Sequence, residues 1–199
     1  ASSGELLMFT DADCRPPTRW VTAMVACFDS TGADLVAGYA DRDAEGPLQR
    51  VLRLDELGMG ALAEGGIGHG VALSCTGRSL AYRRQLYDQV GGFDAIGHLI
   101  SGDDVYFLRH VVARSQARLG YCADPDAVVE EVRGRESWRS LMWQKLRHAS
   151  KASRYRGGAR LLGLAVYGYH IVLALGLWRA VTQFEALTFI AIWGTRWLM

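Results

Sequence analysis

Cysteine pairs at metal-binding or redox spacing are missing from this chain. Its four cysteines, Cys14, Cys27, Cys75 and Cys122, form no C-x-x-C and have no histidine at zinc-site intervals. A zinc finger and a thioredoxin-like motif are thereby excluded, and reduced thiols of a cytosolic domain are expected. No secretory signal opens the sequence: Ala1 to Glu5 hold no basic region, and Leu6 to Phe9 are too short an apolar run. An initiator Met is also missing, and the chain runs almost at once into a strand pattern, so it is expected to begin partway through a domain. The glycine-rich Gly65-Gly-Ile-Gly-His-Gly70 has neither G-K-[ST] nor G-x-G-x-x-G, which excludes a phosphate loop. It reads as a flexible connection, with His69 a loop residue and not a ligand. Internal repeats and low-complexity tracts are absent.

An overall charge of one sign is lacking too: 22 Lys and Arg against 21 Asp and Glu leave +1. That total conceals a segregation. Residues 1–132 carry 19 acids and 11 bases, a balance of −8, and residues 133–160 carry nine bases and one acid, a balance of +8. The remainder holds only Arg179, Arg196 and Glu185 among charged residues. A basic connector abutting an apolar tail suggests the cytoplasmic face of a membrane. Nucleic acid would account for the connector but not for the tail, so no nucleic-acid partner is expected. The divisions expected are a globular domain over 1–135, a basic amphipathic interface helix over 136–158 and a membrane segment over 159–199. In the connector, Trp138, Leu141, Met142 and Leu146 alternate with cations, as an interfacial helix requires. Leu161 to Trp178 is an 18-residue stretch without Asp, Glu, Lys or Arg, the lower length for a transmembrane helix. A second, incomplete membrane helix is expected from Val181 to Met199.

The first part alternates strand and helix patterns, which predicts an α/β domain. Leu6 to Phe9 reads as a buried strand. Pro16 and Pro17 fit the start of a helix burying Trp20, Val21, Met24, Val25 and Phe28, and Gly32 ends it. Leu35 to Tyr39 is a strand, residues 41–47 a polar loop, and Leu48 to about Leu62 a helix. Val71 to Cys75 reads as a strand, Leu80 to Val90 as a strand-to-helix transition, and Arg118 to Cys122 and Ala127 to Glu130 as further strands.

Two carboxylate pairs stand where such a domain does its chemistry. Asp11-Ala-Asp13 follows the first strand, at the carboxyl edge where open α/β sheets bind ligands. In extended backbone both side chains face one side, and two carboxylates suit a hard divalent ion such as Mg²⁺ or Mn²⁺. Asp103 and Asp104 follow a Ser-Gly turn and precede Val105, Phe107, Leu108, Val111 and Val112 at helical spacing. They therefore fall at a helix N-terminus, where they serve as a cap or as a functional pair.

Taken in order, Thr10-Asp-Ala-Asp13, Thr76-Gly-Arg-Ser-Leu-Ala-Tyr-Arg83, Val90-Gly-Gly-Phe93, Ser101-Gly-Asp-Asp104 and Gln144-Lys-Leu-Arg147 resemble family 2 glycosyltransferases with the GT-A fold. The last matches the Q-x-x-R-W element of the membrane-anchored branch, which includes cellulose, chitin and hyaluronan synthases and ceramide glucosyltransferase. The resemblance covers about residues 1–155. It implies the C-terminal portion of a GT-A (nucleotide-diphospho-sugar transferase-like) domain, followed by the interfacial helix and transmembrane helices. It further implies inverting transfer of a sugar from a UDP- or GDP-linked donor to a lipid-linked or saccharide acceptor, on the cytosolic face of the cytoplasmic membrane. By the same resemblance Asp13 holds a divalent cation against the donor pyrophosphate, and Asp11 assists metal or ribose contacts. Asp104 is the general base, Asp103 fills the preceding acidic position, and Gln144 and Arg147 line the acceptor and diphosphate side. Three features depart from the pattern. His148 replaces the Trp of Q-x-x-R-W, against a processive polymer channel; Ser79 stands where Asn is frequent; and the family's nucleotide-binding first half is not in this sequence, so the isolated chain is expected to be incomplete and inactive. A processive polysaccharide synthase, or an inactive membrane-tethered fragment serving as a binding module, are the alternatives.

Overall fold

The computed structural model describes residues 3–42, 44–94, 96–97, 102–132, 139, 143, 146 and 158–183. The chain divides into two compact units, Ala1–Leu141 and Met142–Met199.

The first unit is α/β and built on a mixed four-stranded sheet. Its strands are β1 (Leu6–Phe9), β3 (Leu35–Gly38), β5 (Leu80–Arg83) and β6 (Leu119–Cys122), in the order β1-β5-β3-β6. β5 runs antiparallel to both β1 and β3, and β6 runs parallel to β3. The run Leu35-Val-Ala-Gly38 is apolar throughout because it is buried on both faces. Its alternation builds two cores. Leu35, Ala37, Leu80 and Tyr82 face one layer with Leu86, Phe107, Leu108 and Val111. Val36, Ala81 and Cys122 face the other with Trp20, Ala23, Met24 and Phe28. Helix α1 (Trp20–Thr31) covers the second face and ends at Gly32, whose N–H donates to the Phe28 carbonyl. Val21, expected inside, is 54% exposed, because Ala23 takes its place on the buried stripe.

A second sheet of β2 (Cys14–Arg15), β7 (Val129–Glu131) and β4 (Ala40–Arg42) has the order β2-β7-β4. Its register sets Cys14 and Arg42 on either side of Glu131. Asp41 and Arg42 thus lie in a strand, not in a polar loop.

Helix α2 spans Pro47–Gly68, with Pro47 in its first turn. It runs through Gly65, Gly66 and Gly68, so the glycine-rich stretch is mostly helix and not a flexible connection. The reason is a close approach. A Cβ on Gly66 would lie 2.9 Å from the Val71 carbonyl oxygen and 3.0 Å from Leu73, so only glycine lets the returning chain cross here. That return is not the expected strand: the Leu73 N–H bonds back to the Val71 carbonyl at 2.9 Å, a local turn that withdraws it from any ladder. The Leu80–Val90 expectation is met by β5 passing into α3 (Arg84–Gln89). α4 (Asp103–Arg114) supplies Phe107, Leu108 and Val111 to the first core.

In the second unit the described residues 158–183 form one helix, α5 (Gly158–Gln183). Leu161, Leu164, Ile171, Val172, Leu175 and Trp178 on it are each 59% exposed or more. Among the described residues, no helix is long and apolar enough to cross a membrane. The span expected over Leu161 to Trp178 is therefore not found there, and Tyr167, Gly168, Tyr169 and His170 interrupt its apolar run at mid-helix; the second membrane helix expected from Val181 to Met199 lies almost wholly outside the described residues. Most of the expected interface helix lies outside the described residues.

Candidate active site

The Asp11-Ala-Asp13 segment leaves β1 as a turn, closed by the Cys14 N–H donating to the Asp11 carbonyl at 3.1 Å. The carboxylates therefore ride on a turn and not on extended backbone. The Val132 N–H donates to the Asp13 carbonyl at 2.8 Å, which ties the turn to the end of β7. Asp11 is exposed and Asp13 half-buried.

Asp103 and Asp104 occupy the first turn of α4, as expected, but neither is the cap. Gly102 takes that position with φ +88°, a conformation that favours glycine. Both Asp104 oxygens accept backbone amides: Oδ1 from Val105 at 2.7 Å and Oδ2 from Gly77 at 3.0 Å. The second bond crosses from α4 to the short 3-10 turn Gly77–Ser79 that leads into β5. Because Phe9 pairs with Leu80, continuing that register sets Asp11 beside the same turn.

The two aspartate pairs, ninety residues apart in sequence, thus share one edge. Their common field shows at Asp11. Burial raises its carboxyl above the ordinary 3.8, Asp13 adds to the rise, Arg78 opposes it, and Asp104 and Asp103 push it further up. Cys75, buried nearby, is likewise pushed well up, first by burial and then by Asp104 and Asp103. The four free thiols agree with the absence of cysteine motifs.

Behind the turn lies a feature the sequence did not announce. Arg78 donates from Nη1 to Glu131 Oε2 at 2.6 Å, from Nη2 to Glu56 Oε2, and from Nε to Thr76 Oγ1 at 3.1 Å. Arg42 Nη2 reaches both Glu56 and Glu131 at 3.1 Å. Burial lowers the Arg78 guanidinium's pKa, but Glu56 and Glu131 more than offset this and hold it above its ordinary value. Ser79, wholly buried, accepts the Trp20 indole N–H at 3.1 Å. A Cβ on Gly38 would come within 2.4 Å of Ser79 Oγ, so glycine is required beneath the turn. These four charged partners come from β4, α2, the turn and β7, and no spacing in the sequence joins them.

Among the described residues no group of three or more His, Cys, Asp or Glu side chains is set to hold a metal. Mg²⁺ is commonly held by one or two carboxylates and completed by substrate phosphates. Asp11 and Asp13 are a donor pair of that kind, and a cation there would oppose the repulsion that Asp13, Asp104 and Asp103 exert on Asp11. Gln144 and Arg147 lie outside the described residues.

A mixed α/β sheet with acidic residues gathered at one edge is consistent with a glycosyltransferase domain. The chain belongs to glycosyl transferase family 21, whose family model matches residues 1–199. The family is therefore 21 and not the expected family 2. Short motifs in order point to glycosyltransferases as a class and do not by themselves separate one such family from another. The chain is similar to glycosyltransferase AglE of Haloferax volcanii, with 32% identity over 108 residues. That match takes in 54% of this chain and 34% of the relative, so the chain spans about a third of the relative's length.

Proposed function

We propose that the first unit supplies the catalytic edge for inverting transfer of a sugar from a nucleotide-sugar donor to a lipid-linked or membrane-proximal acceptor. The observation that carries this reading is the gathering of Asp11, Asp13, Asp103 and Asp104 around the Gly77–Ser79 turn in a family 21 chain. Asp104 serves as the general base. With both oxygens held by amides, it keeps a fixed orientation and a lone pair for the acceptor hydroxyl's proton. As that proton moves to Asp104, the acceptor oxygen bonds to the anomeric carbon. The bond from that carbon to the diphosphate breaks, and its electron pair leaves with the diphosphate. Asp13, assisted by Asp11, would hold Mg²⁺ or Mn²⁺, which supplies Lewis-acid neutralisation of the leaving diphosphate. Gln144 and Arg147 are assigned to the acceptor and diphosphate side on the motif resemblance. The basic run 133–160 and the exposed apolar face of α5 favour an acceptor at a membrane surface.

Release of nucleoside diphosphate from UDP- and GDP-sugars by the full-length protein, with Mn²⁺ or Mg²⁺ supplied, tests this reading. Asp104→Asn is expected to lower turnover by on the order of 10²- to 10⁴-fold with donor affinity retained. Asp13→Asn is expected to raise the cation concentration required. Wild-type turnover in Asp104→Asn removes that residue from the mechanism.

A further inference from the structure

We infer that Arg78 is the positioning residue for Asp104, acting through the Gly77 amide from within a buried ion network. The catalytic half of this inference rests on the reading of Asp104 as the base.

The turn Gly77–Ser79 is three residues long and begins with glycine, and the Ser79 N–H reaches the Thr76 carbonyl at a long 3.4 Å, so the backbone alone holds it weakly before a cluster of like charges. Arg78 reinforces it. Its three guanidinium nitrogens are engaged by Glu131, Glu56 and Thr76, and Thr76 Oγ1 also accepts the Arg78 amide at 3.4 Å. Arg42 balances the same two glutamates. The result is two cations and two anions drawn from four elements and largely withdrawn from water, with side-chain exposures of 4% at Glu131 and 16% at Arg78. A guanidinium so occupied does not serve a diphosphate. What it fixes is the direction of the adjacent amide, which donates to Asp104 Oδ2 at 3.0 Å. The turn is anchored on its far side by Ser79 against Trp20. Without Arg78, the Gly77 N–H is free to swing away, and the Asp104 carboxylate then rotates with only Val105 to hold it.

The test compares Arg78→Met, Arg78→Lys and Asp104→Asn with a charge-balanced double variant, Arg78→Met with Glu56→Gln. The double variant keeps the Arg42–Glu131 pair and leaves no glutamate unmatched, so it stays informative should Arg78→Met fail to fold. Two readouts are taken on the full ¹⁵N-labelled chain and on the full-length protein: the Gly77 amide proton resonance, and kcat against donor KM. In the folded double variant the Gly77 resonance is expected to leave its carboxylate-bonded position and approach that in Asp104→Asn, while the β3 resonances stay in place. A fall in kcat on the order of 10- to 100-fold, with donor KM within about two-fold, should accompany it. Arg78→Lys should recover part of both. A Gly77 resonance unmoved in the double variant overturns the inference. Should Asp104→Asn turn over at the wild-type rate, the base assignment fails on its own, and the Gly77 resonance still decides whether Arg78 positions Asp104.

Discussion

At Asp11 burial and the charges of Asp13, Asp104 and Asp103 together outweigh the pull of Arg78, so the native carboxyl binds its proton more tightly than the unfolded one. Between the unfolded value of 3.8 and the higher native value, the native state holds more protons. Stability therefore falls as pH rises through that window and stays reduced above it. Asp11→Asn is expected to raise Tm at neutral pH by a small amount, on the order of 1 °C after solvent screening. The difference should vanish near pH 3, a pattern that thermal melts across pH would reveal. A carboxylate kept at a cost to folding is the mark of a site built for something else. Ser79 is the converse case, a residue whose worth is in the fold. Ser79→Ala leaves the buried Trp20 indole N–H without its acceptor, and a loss of about 1–3 kcal/mol is expected by urea denaturation.

Among the elements, the small sheet, α2 and the turn are joined by the ion network and not by apolar packing alone. Glu131 is the member shared by Arg42 and Arg78. Glu131→Gln should cost about 3–5 kcal/mol, since it removes the buried carboxylate that Arg42 and Arg78 share. Chemical denaturation should show that loss, and faster amide exchange in β4 and β7 should accompany it. This network was illegible in the sequence because Arg42, Glu56, Arg78 and Glu131 look like ordinary surface charges until the chain folds them together. The glycine-rich end of α2 misled for a related reason: Gly66 is there for Leu73 and Val71, contacts no periodicity can encode. By contrast β3, the end of α1 at Gly32 and the passage from β5 to α3 were legible, because each is fixed by local pattern. The two aspartate pairs stood out as motifs in sequence order. That they would meet at one edge required the antiparallel pairing of β1 with β5 and the bond from Gly77 to Asp104.

For the molecule as a whole, the first unit supplies the acidic edge and the second supplies α5, whose exposed apolar face comes after a run of basic residues. Binding to vesicles containing anionic lipid is expected, weakened by salt and reduced roughly ten-fold by Leu164→Asp with Leu175→Asp. Flotation against neutral vesicles measures it. The central claim, however, concerns the first unit: aspartates from both ends of its sequence serve a single cation-dependent centre. Mn²⁺ titrated with a nucleoside diphosphate into the ¹⁵N-labelled chain tests this most directly. The amides of Asp11 to Asp13, of Gly77 and of Asp103 to Asp104 should broaden together, and Asp13→Asn should abolish the effect at all three places. Broadening confined to the first segment, with the start of α4 left sharp, would contradict the account.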